Sequence, residues 1–158
     1  MLRNLLCSFP LLFMGGCGGH DHGHGHDHDH DHDHDHHHDP VHEGGQLVEL
    51  GDHLGQFEAV LDVEAGTLSF WVWDAHCENA VRMPDESLAA EVTIGEETFT
   101  LACAAQESTL TGETVGDSSE FSAQDDRLKG IEKAEVKVPS LSFKGATYED
   151  LAFQLPPQ

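Results

Sequence analysis

After residue 44 the chain alternates apolar and polar residues at a period of two, the pattern of strands with one buried face. Residues 46–50 (QLVEL) read as a short strand, and Gly51, Asp52 and Gly55 as the turn that ends it. In QFEAVLDV, Phe57, Ala59, Leu61 and Val63 share a face, and residues 64–66 (EAG) form a tight hairpin turn. TLSFWVWDA follows with Leu68, Phe70 and Val72 on one face and Trp71 and Trp73 on the other, so a central strand is expected, with the tryptophans covering a second apolar face. ENAVRMPDES is a loop, since Pro84 interrupts regular pairing.

LAAEVTIG and ETFTLACAA make a second hairpin across GEE, and the phase of Phe99 and Leu101 points Cys103 inward. STLTGETVGDSS is a polar connection, SEFSA a short strand and QDDRLKGIEK a source of one helical turn. AEVKVPSLSF and YEDLAFQL close the set. Seven or eight short strands with turns every eight to twelve residues predict an all-β domain, an antiparallel immunoglobulin-like β-sandwich over residues 44–158.

The first 43 residues follow other rules. Arg3, an apolar run of about ten residues and then Gly15, Gly16 and Cys17 have the layout of a secretory signal over residues 1–16. The run is half the ~20 residues needed to cross a bilayer, and Pro10 interrupts it. Met14, Gly15, Gly16 and Cys17 resemble the lipobox of bacterial lipoproteins. That resemblance implies cleavage after Gly16, lipid on Cys17, and a mature chain held to a membrane of the bacterial cell envelope on its extracytoplasmic side. An ordinary secreted protein is the alternative.

Residues 17–43 form a low-complexity leader whose histidines stand at 20, 22, 24, 26, 28, 30, 32, 34, 36, 37, 38 and 42, with Asp or Gly between most of them. Neutral imidazole is a ligand for Zn, Ni and Cu(II), and its ordinary pKa near 6.5 leaves most rings free to coordinate at neutral pH. The segment has too few apolar residues to form a core, so it is expected to be disordered without metal. His20, His22, His24, His26, His28, His30, His32, His34, His36, His37, His38 and His42 are therefore the candidate ligands, for several ions held with little selectivity. A solvated tether is the competing reading. His42 and His53 flank the first strand and are a further candidate pair.

Composition narrows the partners. Seven basic residues face thirty acidic ones, and cleavage of the signal removes Arg3 and no acid. Such a chain repels nucleic acid and attracts cations. Cys7 leaves with the signal and Cys17 carries lipid, so Cys77 and Cys103 remain as a pair in an oxidising compartment, where a disulfide is the first expectation. Reduced buried thiols, or a soft-metal site with His76 and Met83, are the alternatives. No nucleophile elbow, HExxH or glycine-rich phosphate loop is present, and no enzyme activity is expected.

From Pro40 onward, PVHEGGQLVELGDH, FEAVLDVEAGTLSFWVWDA, EVTIGEETFTL and SSEFSAQDDRL resemble a small β-sandwich domain of planctomycete-type lipoproteins. That domain follows a His-rich leader, opens with His-Gly-Gly and carries an E…V-x-D-x-x-x-G-x-[VL]-x-[VF] hairpin. FEAVLDVEAGTLSFWVWDA carries the hairpin pattern, whereas Glu43 separates His42 from Gly44 and Gly45. A similar segment occurs in heavy-metal efflux adaptor proteins. The resemblance implies a lipid-anchored envelope protein with an envelope or metal-efflux protein as partner, whereas the expectation of metal ions as ligands comes from the leader histidines.

Overall fold

The computed structural model describes residues 38–157. They form an all-β domain of eight antiparallel strands: β1 (Gly45–Leu50), β2 (Gly55–Asp62), β3 (Thr67–Trp73), β4 (Ser87–Ile94), β5 (Glu97–Ala105), β6 (Glu120–Gln124), β7 (Ala134–Phe143) and β8 (Ala146–Leu155). The expected layers are parts of one continuous sheet, ordered β1-β2-β3-β6-β5-β4-β7-β8, which curls over until it is nearly closed. Pairing is thinnest between β5 and β6, which share only the register pairs Ala104–Ser122 and Ala105–Phe121. At the seam, the Gln154 backbone N–H on β8 donates to Gln46 Oε1 on β1 at 2.7 Å.

Folding the sheet on itself gives the inward phase of every strand a common interior. Phe57, Phe70 and Phe153 meet there from β2, β3 and β8, with centroid separations of 5.2, 5.7 and 6.0 Å. Leu68, Val72, Val92, Phe121, Val136 and Leu155 fill the space around them, all fully buried. The period-two alternation is thus the cause of the closed shape, because a sheet with one apolar face must bury that face against itself or a partner.

The β2–β3 turn shows how local chemistry fixes register. Asp62 Oδ1 accepts from the backbone N–H groups of Glu64 and Ala65, both at 2.9 Å, and Gly66 N–H donates to Asp62 O at 2.8 Å. Gly66 has φ +70°, and a Cβ there would lie 2.7 Å from Asp125 O, so both conformation and space require glycine. The helical turn expected after β6 is a 3-10 turn, Asp126–Leu128, capped by Asp125. Asp125 also pairs with Arg127, whose guanidinium carbon lies 3.5 Å above the Phe99 ring centre.

The expected disulfide is not formed, and Cys77 and Cys103 are both free thiols. Cys103 faces the interior from β5, as its phase requires, and is fully buried. Cys77 belongs to the loop after β3 and is close enough to Glu58, on the outer phase of β2, to feel its charge. The two sulfurs thus lie on opposite sides of the sheet, which is why the pair does not close. The soft-metal grouping is not assembled either, because Met83 packs in the core while His76 is exposed.

Candidate functional site

The outer faces of β2, β3 and β6 carry an unusual row. Register places Glu58 opposite Trp71 and Trp71 opposite Glu120, with Gln56 opposite Trp73 beside them. A carboxylate in that phase would ordinarily be solvated, yet Glu58 is 0% exposed. The chain preceding β1 covers it. Gly45 N–H donates to His42 O at 3.0 Å, closing a turn that brings His42 over the row.

There the His42 ring stacks on Trp71, with centroids 3.9 Å apart and planes inclined by 28°, and it lies 5.9 Å from Trp73. Glu58 accepts three hydrogen bonds: from His42 N–H at 2.8 Å, from His42 Nδ1 at 2.9 Å and from Trp73 Nε1–H at 2.9 Å. These donors satisfy a carboxylate that burial would otherwise make costly. Gly45 is required here by close approach, because a Cβ would stand 2.5 Å from Glu58 Oε1.

The arrangement has a chemical consequence. Nδ1 of the His42 ring faces the Glu58 carboxylate, and the His42 side chain is 38% exposed. A carboxylate behind one ring nitrogen orients metal-binding histidines in general. Burial pushes the Glu120 carboxyl above its ordinary range, with nearby His42 pulling it down and Glu113 adding to the rise. Burial also raises the Cys77 thiol, and the negative charges of Glu58 and Asp74 raise it further, so this cysteine is held as a neutral thiol.

Two further histidines are near the row in sequence, His38 four residues before His42 and His76 three residues after Trp73. The rings of His38 and His76 meet edge to face, with centroids 5.7 Å apart. His76 is carried by a loop that Asp74 organises, accepting from the backbone N–H of His76 at 3.3 Å, that of Glu78 at 2.9 Å and Asn79 Nδ2 at 2.7 Å. These bonds, the one from Asn79 first, hold the Asp74 carboxyl below its usual range.

Of the leader's candidate ligands, His38 and His42 are placed by the structure, His42 over the outer row and His38 against His76. His20, His22, His24, His26, His28, His30, His32, His34, His36 and His37 lie outside the described residues, as does Cys17. His53 is not brought to His42; it lies in the β1–β2 turn against Glu49, 3.3 Å from its carboxylate. Among the described residues, no three His, Cys, Asp or Glu side chains stand together as a ready-made metal site. Glu58 was not singled out from the sequence as a functional residue. Its signal was the pair of tryptophans in its own phase on β3, which implies a covered outer face in which a carboxylate must find donors.

No family model, no curated protein and no solved structure matches this chain.

Proposed function

We propose that the protein is a lipid-anchored extracytoplasmic protein of the bacterial envelope that binds and buffers divalent transition metals, Zn, Ni or Cu, through its His/Asp-rich leader. The observation that carries the reading is the run of twelve histidines between residues 20 and 42, set among aspartates. Supporting it, His42 at the end of that run has Nδ1 against a buried carboxylate, the arrangement that commonly orients a metal-binding histidine. The lipobox at 14–17 and the resemblance of the folded part to envelope lipoproteins agree with the compartment.

Calorimetric titration of the full unlipidated chain with Zn(II), Ni(II) and Cu(II) tests the proposal, beside a variant with residues 20–37 replaced by a Gly/Ser tract of equal length. Several ions are expected to bind the native chain near pH 7.5, to be lost near pH 5.5 as protons compete for imidazole, and to be largely absent from the variant. Equal stoichiometry in the two chains would refute it.

A second reading, an envelope-structural or protein-interaction module with a spacer leader, has its own observation. Leu110 is 98% exposed at the tip of a loop that Arg82 clamps through Asp117 and Thr111 O. Under that reading the Gly/Ser variant keeps its cellular role under metal excess and starvation.

A further inference from the structure

We infer that His38 and His76 form a fold-anchored chelating pair, the first position that a divalent transition metal occupies on this protein. The inference rests on the metal-binding reading above and adds to it a fixed site at the root of the leader. Its observations are the meeting of two imidazoles from segments 38 residues apart and an unsatisfied nitrogen on one of them. His38 Nε2 is buried and has no hydrogen-bond partner among the described residues. Buried polar atoms in folded proteins are nearly always paired with protein, water or an ion.

The geometry fits an ion. Imidazole nitrogens bind Zn(II) at about 2.0–2.1 Å, so two rings on one tetrahedral centre have centroids roughly 5 Å apart. The observed 5.7 Å edge-to-face contact is within about 1 Å of that separation. Water completes the coordination shell, in keeping with the absence of a third His, Cys, Asp or Glu at ligand spacing among the described residues. Cys77, held as a thiol by burial and by Glu58 and Asp74, is not assigned as a ligand.

Both ends of the pair are held before any ion arrives. Asp74 fixes the loop that carries His76. Four residues beyond His38, the Glu58 carboxylate pins His42 to the sheet. Ligands already held by the fold lose less chain entropy on binding an ion, which favours this pair as the first site.

The test uses the full unlipidated chain and its two tryptophans, Trp71 and Trp73, which pack around His42, four residues from His38. Cu(II) is titrated into wild type, His76→Gln and His53→Gln while binding heat and tryptophan emission are followed. His76 is exposed, so its replacement leaves the fold intact, and far-ultraviolet circular dichroism checks this.

In wild type and His53→Gln, the first equivalent of Cu(II) is expected to quench the emission. In His76→Gln the tightest binding event weakens by roughly tenfold or more, quenching moves to later equivalents, and the weaker leader sites remain. If all three chains bind copper alike, the ring contact is packing only and this inference fails while the leader reading survives. If wild type binds no copper, the leader reading fails as well.

Discussion

Glu58 provides the sharpest test of how the outer face is held. Glu58→Ala removes three hydrogen bonds to a charged acceptor, each worth about 1.5–3 kcal/mol in a folded protein. Part of that loss is recovered, because the variant no longer buries a carboxylate and the half-exposed His42 and Trp73 can turn to water. The net expectation is a destabilisation of about 2–3 kcal/mol. With urea slopes of about 1–3 kcal/mol per molar for small domains, the unfolding midpoint falls by roughly 1–2 M.

Glu58→Gln keeps the shape and one acceptor oxygen, but its amide N–H₂ must face either the His42 backbone N–H or the Trp73 indole N–H. About half the loss is therefore expected, near 1 kcal/mol. Urea melts followed by tryptophan emission and by far-ultraviolet circular dichroism read the global change. The exchange rate of the Gly45 amide, which closes the His42 turn, reads the local one. An Ala variant within about 0.5 kcal/mol of wild type would mean that the carboxylate's burial cost cancels its bonds, and the pinning role given to Glu58 would fall.

Three more expectations follow from the packing and the titrating groups. Gly45→Ala should cost about 1–3 kcal/mol in a urea melt, because the added Cβ meets Glu58 Oε1 at 2.5 Å and displaces the acceptor of the His42 turn. In a Cys7→Ser, Cys17→Ser chain, a thiol reagent near pH 8 should modify Cys77 first and Cys103 only on unfolding, since burial pushes the Cys103 thiol up to about 12; a protein with no reactive thiol after unfolding would show that a disulfide had formed.

Asp125 is held down to about 2, first by the side-chain hydrogen bond from Arg127 and then by that residue's backbone N–H. A folded pKa below the unfolded one means that its contribution is present above the ordinary aspartate range near 4 and is lost as pH falls through about 2. The stability difference between wild type and Asp125→Asn should accordingly be largest near neutral pH and vanish at the acid end of a melt series.

The strands were legible in the sequence because their cause is local: the phase of Phe57, Ala59 and Leu61 on β2, or of Leu68, Phe70 and Val72 on β3, is written residue by residue. Even the inward aim of Cys103 could be read from its neighbours. Its expected bond to Cys77 could not, because spacing along the chain says nothing about which side of the sheet a loop residue reaches. The same limit hid the role of Glu58. Alternation places it outside, and only the return of residues 38–45 across β2 and β3 turns that outside into an interior. His42 was legible as a ligand type, whereas its hydrogen bond to Glu58, sixteen residues away, depends on a turn closed by Gly45.

The His42–Glu58 contact also has a mechanical meaning. β1 is an end strand that pairs with β2 from Gly45 opposite Val60, so a pull on the chain ahead of it would unzip the domain one ladder bond at a time. The bonds from His42 to Glu58 stand ahead of the first ladder pair along the chain, so they are a further attachment, tied also to Trp73, that must yield before peeling begins. An ion across His38 and His76 would shift the point of attachment farther upstream, so that metal occupancy sets how firmly the domain resists being peeled from its own N-terminus.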